Sequence, residues 1–178
     1  MARRIPERLH WTIERLAVEP ADRLLEIGCG RGIAVPLVCN RLDIGTLLAV
    51  DRSPVAIDAA IEANEPHIAG GKASFRTCAF ADLDPAGLCV DKIFAVNVNL
   101  FWTGDAAAEL ALTRTLLAPA GALYLCYEPP TAAKADEVAR TVTGVLAAQG
   151  FTAEPTTATT KKGQTLLCLT ATATRPHS

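Results

Sequence analysis

Three closely spaced glycines follow a glutamate and a short apolar run in the segment LLEIGCGRG, residues 24–32. These are Gly28, Gly30 and Gly32. A glycine-rich turn between a strand and a helix commonly binds phosphate through its backbone N–H groups. A dinucleotide site favours the spacing G-x-G-x-x-G, however, and Ile33 stands where its third glycine would be. The spacing of the glycines alone therefore does not indicate which ligand binds.

The charge beside the turn is the second clue. Glu26 lies two residues before the first glycine. At about 4 Å and an effective dielectric constant of about 20, two like charges repel by on the order of 4 kcal/mol. A carboxylate here opposes a diphosphate and favours a cation such as S-adenosylmethionine, which carries a sulfonium and an ammonium and no phosphate. The competing interpretation is an NAD-dependent oxidoreductase that tolerates both the spacing and the charge.

The apolar pattern predicts the elements that position this turn. Runs that are apolar nearly throughout, such as RLLEI and TLLAVD, are typical of strands buried on both faces. The predicted order is helix 6–18, strand 23–27, helix 32–42, strand 46–51, helix 55–64, strand 73–78, strand 91–98, helix 104–117, strand 121–127, helix 131–150 and a strand pair within 151–173.

This alternation predicts an α/β fold with a Rossmann-like, doubly wound, mostly parallel sheet and helices on both faces. The final strand pair departs from the alternation and predicts an antiparallel C-terminal edge. We expect a single domain over 1–178, in which 1–20 is a helix covering the cofactor or substrate, 21–128 is the cofactor-binding core and 129–178 is a C-terminal helix with the strand pair.

Four segments resemble the class I S-adenosylmethionine-dependent methyltransferases. EIGCGRG at 26–32 is similar to the first motif of that family, and Asp51 matches its ribose-binding acid. VDKIFAVNVNLFW at 90–102 is similar to the fourth-strand motif, and LLAPAGALYL at 116–125 resembles the loop that leads into the fifth strand. The resemblance covers residues 24–127 in the family's order and implies S-adenosylmethionine as the cofactor.

The resemblance also implies a set of cofactor-binding residues. The glycine turn approaches the methionine and ribose parts of the cofactor, Glu26 favours its ammonium end, and Asp51 accepts hydrogen bonds from both ribose hydroxyls. The full set is Glu26, Gly28, Cys29, Gly30, Gly32, Asp51, Arg52, Ala79, Phe80 and Asn97.

Recognition of the adenine departs from the family pattern. The family often has an acidic residue after the third strand that binds the adenine amino group, and that position falls at Ala79. Asp82, three residues later, either replaces this acid or caps the following turn. Phe80 is expected to cover the adenine face or to offer its backbone. Both interpretations of Asp82 remain open.

Methyl transfer from a sulfonium requires position more than chemical activation. Orientation can supply roughly 7–11 kcal/mol, and a base helps only when the acceptor must lose a proton. Three side chains are candidates for such a base, namely His10, Tyr127 and Glu128, and none is singled out. The residues proposed to line the substrate pocket are Trp11, Asn99 and Trp102.

The composition of the chain limits the partners, metal sites and cellular setting that are expected. The net charge of −2 argues against nucleic acid or an anionic membrane as partner and favours a small-molecule acceptor. Six dispersed cysteines without a histidine cluster predict no metal site and a reducing, cytoplasmic setting. No leader segment or membrane span is expected. A non-catalytic S-adenosylmethionine-binding module is the second alternative, because no single catalytic side chain is indispensable.

Overall fold

A computed structural model describes residues 5–174 of the chain. Its helices are α1 (Glu7–Leu16), α2 (Val35–Cys39), α3 (Pro54–Ala63), α4 (Glu65–Ala69), α5 (Ala107–Leu116) and α6 (Ala132–Ala148). Its strands are β1 (Arg23–Ile27), β2 (Thr46–Asp51), β3 (Ala73–Thr77), β4 (Val90–Val96), β5 (Leu117–Tyr127), β6 (Phe151–Thr159) and β7 (Thr165–Ala173). Single 3-10 turns occur at Phe80–Asp82 and Asn99–Phe101.

The seven strands form one sheet in the order β3-β2-β1-β4-β5-β7-β6. The first five strands are parallel to one another, whereas β7 pairs antiparallel with both β5 and β6. The predicted fold class, including the antiparallel C-terminal edge, is therefore confirmed. Strand order reverses between β1 and β4, and in such sheets ligands bind beyond the carboxyl ends of the strands at this point.

Two apolar layers cover the sheet. On one face α1, α2 and α3 bury side chains against β1 and β2, with Leu16, Val38 and Ile57 among them. On the other face α5 and α6 cover β1, β4, β5 and β7, and Leu110 and Val142 lie in that layer. Because both faces are covered, the strands at the centre are apolar along their length.

Several predicted boundaries differ from the observed ones by two to four residues, and two of these differences have a clear structural reason. The helix expected over 32–42 spans only Val35–Cys39, because Gly32 has a φ of +68° and belongs to the preceding turn. The strand expected over 121–127 begins at Leu117, which pairs with Val90, while Ala122 pairs with Lys92. The intervening residues 118–121 bulge within the strand, although their proline and glycine indicated a loop.

No helix within the described residues is long and apolar enough to cross a membrane.

Candidate active site

A cavity of about 460 Å³ lies beyond the carboxyl ends of β1 and β2. Its walls come from the ends of these strands, from residues 78–81 after β3, from residues 98–100 and 103 after β4, and from Glu109 of α5. The predicted site residues that line it are Gly28, Asp51, Arg52, Ala79, Phe80 and Asn99. The others lie outside its lining, namely Glu26, Cys29, Gly30, Gly32, Asn97, Trp11, Trp102, His10, Tyr127 and Glu128.

Four N–H groups of the glycine turn are bonded within the protein. Gly28 and Cys29 both donate to the carbonyl of Val50, at 2.8 and 3.1 Å. Gly30 donates to Oδ2 of Asp51 at 2.9 Å, and the N–H of Gly32 bonds to the Cys29 carbonyl at 3.0 Å. A phosphate-binding turn must keep such donors available for its ligand. These four donors are therefore not available to cradle a diphosphate, and Gly28 is the glycine of the turn that lines the cavity.

Asp51 is held by the backbone from two sides. Its Oδ2 accepts from Gly30, and its Oδ1 accepts from the N–H of Ser53 at 2.9 Å. Each oxygen of a carboxylate has two lone-pair directions, so both retain the capacity to accept from a ligand. Because Asp51 also lines the cavity, it presents an oriented pair of acceptors at the end of β2.

Glu26 is buried in β1 behind the turn. Its side chain lies outside the cavity lining, and its Oε2 has no hydrogen-bond partner among residues 5–174. Burial in an apolar environment, with a smaller contribution from the charge of Asp51, raises the pKa of Glu26 to about 8. In the ligand-free protein this carboxyl therefore holds a proton at neutral pH, unlike the fixed charge that the sequence suggested.

Asn64 fixes the backbone at Gly32, where the glycine turn ends. The sequence did not reveal this role. This residue is buried, and its Nδ2 donates to the carbonyls of Gly32 at 3.2 Å and Ala60 at 2.8 Å. A Cβ added at Gly32 would lie 2.6 Å from that Nδ2 and 3.0 Å from the Cβ of Ala60. The glycine is thus required by its backbone conformation and by the close approach of α3.

Gly32→Ala is expected to lower the free energy of unfolding by about 2–4 kcal/mol, from left-handed backbone strain together with overpacking. Gly30→Ala is the matched control. It also has a positive φ, of +53°, but its added Cβ meets no atom within 4 Å. This control should lose only about 1–2 kcal/mol. Urea unfolding of the ligand-free proteins measures both, and equal losses would contradict the packing argument.

The segment after β4 connects the cavity to the end of β5. Asn97 has a φ of +55°, and its Oδ1 accepts from the N–H of Glu128 at 2.8 Å. Asn99 lines the cavity, and its Oδ1 accepts from Nε1 of Trp102 at 3.1 Å. Lys134 of α6 lies over the ring of Trp102, with its Nζ 5.2 Å from the centroid.

The candidate bases lie in three different environments. His10 is exposed on α1. Tyr127 is buried, and burial raises the pKa of its phenol, which opposes its use as a base at neutral pH. Glu128 is half-buried and pairs with Arg8 of α1 at 3.0 Å. Trp11, on the same helix, is half-buried.

A comparison with protein-family models matches residues 24–121, more than half of the chain, to a family described as a methyltransferase domain. The chain belongs to the class I S-adenosylmethionine-dependent methyltransferases. The predicted family, enzyme class and cofactor are thereby confirmed. The methyltransferase has no significant match among curated proteins.

Solved structures share the fold of this methyltransferase. An S-adenosylmethionine-dependent methyltransferase from Aquifex aeolicus has a TM-score of 0.71 at 14% identity, covering 92% of this chain and 88% of that chain. The magnesium protoporphyrin IX methyltransferase ChlM from Synechocystis PCC 6803, with bound S-adenosylmethionine, gives 0.65 at 18% identity, covering 93% and 76%. The [4+2]-cyclase SpnF gives 0.75 at 14% identity, covering 93% and 80%.

At these identities the structures show a common fold only, and a cyclase is among them. A fold can support several reactions. The methyl acceptor of this methyltransferase must therefore be inferred from its own residues.

Proposed function

We propose that the chain transfers the methyl group of S-adenosylmethionine to a small-molecule acceptor by in-line displacement, mainly through positioning. The observation that carries this proposal is the pairing of Asp51 with the glycine turn. A carboxylate lines the cavity while the N–H groups of Gly28, Cys29, Gly30 and Gly32 are bonded internally. Such a site suits a cationic nucleoside better than a diphosphate, which argues against NAD.

The residues present fit this cofactor. Asp51 keeps lone pairs that can accept from two neighbouring hydroxyls, as a ribose offers. Glu26 has a buried oxygen without a partner among the described residues, directly behind the turn. A nearby positive charge favours ionisation of a buried carboxyl and offsets its desolvation. We therefore propose that Glu26 balances the positive charge of the cofactor from behind the cavity wall. Its side chain does not contact the cofactor directly.

When bound, S-adenosylmethionine supplies a methyl group that the positive sulfur has already activated. Asp51 and the glycine turn would then hold the donor in one orientation, and orientation is worth roughly 7–11 kcal/mol in favourable cases. A base is needed only for an acceptor that sheds a proton. For such an acceptor Glu128 and His10 remain candidates, because burial disfavours the phenolate of Tyr127.

The acceptor is proposed to enter between α1 and the carboxyl ends of β4 and β5. Arg8 of α1 pairs with Glu128, which follows β5, and Glu7 accepts from the N–H of Lys161 at 3.1 Å in the β6–β7 turn. The start of α1 is thus bonded to both the strand end and the hairpin. This arrangement supports the proposal that residues 5–20 cover the acceptor side of a single domain, with Trp11 and Trp102 near it. The first four residues of the segment predicted over 1–20 lie outside the described residues.

A small molecule is favoured as the acceptor because the chain has little basic surface to bind nucleic acid, with a net charge of −2. The six cysteines are all free thiols, which supports the proposed reducing, cytoplasmic setting.

Thermal unfolding with S-adenosylhomocysteine and with NAD tests the cofactor assignment. A ligand at a hundred times its dissociation constant stabilises by about 2.7 kcal/mol, or about 5–10 °C in Tm for a domain of this size. We expect this shift with S-adenosylhomocysteine and none with NAD. The opposite pattern would refute the proposal.

A second assay tests turnover and the acceptor class. S-adenosylhomocysteine release is measured with a low-molecular-weight metabolite fraction, with bulk RNA and with a protein fraction. Release with the metabolites alone is the expected result. Faster release with RNA or protein would overturn the small-molecule acceptor. Ligand binding without release from any fraction would favour the non-catalytic module.

A further inference from the structure

The far wall of the cavity carries a carboxylate that the sequence analysis did not assign. Glu109, in the first turn of α5, lines the same cavity as Ala79, Phe80 and Ala81. Helix α5 packs against the 3-10 turn Phe80–Asp82, which contains Phe80 and Ala81 and follows Ala79. Packing between two elements distant in sequence therefore brings Glu109 to the segment that follows β3.

The carboxylate of Glu109 is half-buried and uncommitted. Within residues 5–174, no hydrogen bond or ion pair is made by its carboxylate oxygens, while its backbone carbonyl accepts from Thr113 Oγ1 at 2.8 Å. The other polar side chains on this wall are engaged. Asn99 Oδ1 accepts from Trp102, and Thr103 Oγ1 donates to the Asn99 carbonyl at 3.0 Å. Glu109 is thus the side-chain acceptor on this wall with both oxygens available to a ligand.

This wall belongs to the nucleoside end of the cavity. It continues the segment after β3, and β3 pairs with the end of β2 that carries Asp51. Asp51 occupies the β2 side and suits the ribose, so the base of the nucleoside must lie toward the residues after β3 and α5. Adenine presents an exocyclic amine with two N–H donors there, and a carboxylate is a strong acceptor for them.

The residues after β3 do not supply that acceptor through their side chains. Ala79, Phe80 and Ala81 carry no polar side chain, and the Cys78 thiol is only a weak acceptor. The carbonyls of Ala79 and Phe80 already accept from the N–H groups of Asp82 and Leu83, at 3.0 and 3.1 Å, and a neutral carbonyl is a weaker acceptor than a carboxylate. Asp82 itself is exposed and lies outside the cavity lining.

We propose that Glu109 recognises the exocyclic amine of the cofactor's adenine, the role that the sequence left between Ala79 and Asp82. This inference rests on the proposed cofactor site. Glu109 of α5 then determines which base is bound, and Asp51 at the end of β2 binds the ribose. Glu109 acts on specificity for the cofactor and takes no part in the transfer of the methyl group.

Calorimetric titration with two ligands tests the assignment. One is S-adenosylhomocysteine, and the other is S-inosylhomocysteine, in which a carbonyl oxygen replaces the amine. The Glu109 carboxylate accepts from the amine and repels the carbonyl, so the wild-type chain should prefer the adenosyl ligand by at least about tenfold. In Glu109→Gln the side-chain amide can donate as well as accept. We expect the preference to fall to about threefold or less.

Two further variants distinguish recognition of the adenine amine from a general loss of folding or ligand binding. Glu109→Asp keeps the charge and should bind more weakly while retaining a preference for the adenosyl ligand. Asp82→Asn removes the neighbouring exposed carboxylate and should leave the preference of the wild-type chain unchanged. An unchanged preference in Glu109→Gln overturns the inference, as does a loss of preference in Asp82→Asn alone. A wild-type chain that binds neither ligand refutes the cofactor site itself, which distinguishes the two failures.

Discussion

Replacing Asp51 by alanine is expected to weaken binding of S-adenosylhomocysteine by about a hundredfold or more. The carboxylate is held by the N–H groups of Gly30 and Ser53, each at 2.9 Å, and faces the cavity. Hydrogen bonds to a charged group contribute about 1.5–3 kcal/mol each, and two ribose hydroxyls are expected to donate to it. The alanine variant also leaves the two N–H groups without their acceptor, which loosens the turn. Isothermal titration calorimetry measures the loss.

Two controls accompany this variant. Asp51→Asn preserves the shape and one acceptor oxygen, so an intermediate loss of about tenfold is expected. Asp58→Ala removes an exposed carboxylate from α3 and should leave the affinity unchanged. Binding by Asp51→Ala within about threefold of wild type, a difference below 1 kcal/mol, would refute the assignment of Asp51.

Glu26→Gln is expected to stabilise the ligand-free protein at alkaline pH. Burial raises the pKa of Glu26 to about 8 from its ordinary value of 4.5. Between these two values the folded state holds a proton that the unfolded state has released, so stability decreases as pH rises through this window. Glutamine does not titrate and removes this decrease. Its advantage in unfolding free energy should grow from near zero at pH 4 to a few kcal/mol at pH 8.

Urea unfolding of both proteins at intervals from pH 4 to pH 9 measures this difference. A gap that stays constant across the range would contradict the titration of Glu26 and would indicate a packing change only. Binding provides an independent readout. A cationic cofactor favours the ionised carboxyl, so S-adenosylmethionine should bind wild type more tightly as pH rises from 6 to 8. The same rise in Glu26→Gln would exclude Glu26 as its cause.

The strand core was predictable because burial on both faces leaves a direct signal in the sequence. RLLEI and TLLAVD, read as strands 23–27 and 46–51, form β1 and β2 with those bounds. Helix α2 and the start of β5 were misjudged for a common reason. Glycine adopts either sign of φ at little cost and a bulge has no clear local pattern, so contacts with distant residues determine both features.

The candidate site was predictable only in part. The ends of β1 and β2 meet at one edge of a parallel sheet, so the meeting of Gly28 with Asp51 followed from the order of the elements. Glu26 lies within a strand that was predicted to be buried on both faces, yet its carboxylate was treated as a fixed charge, although burial favours the protonated form. Asn64 and Glu109 were missed because their proximity to the site depends on how α3 and α5 pack, and no local pattern encodes that packing.

The internally bonded glycine turn limits how this scaffold can be re-engineered. Introducing the G-x-G-x-x-G spacing would leave the N–H groups of Gly28 and Cys29 committed to Val50 and that of Gly30 committed to Asp51. A chimera meant to accept a nicotinamide cofactor would therefore also need a new β2 terminus. Nucleotide preference in this protein is a joint property of two strands, and grafting one loop cannot transfer it.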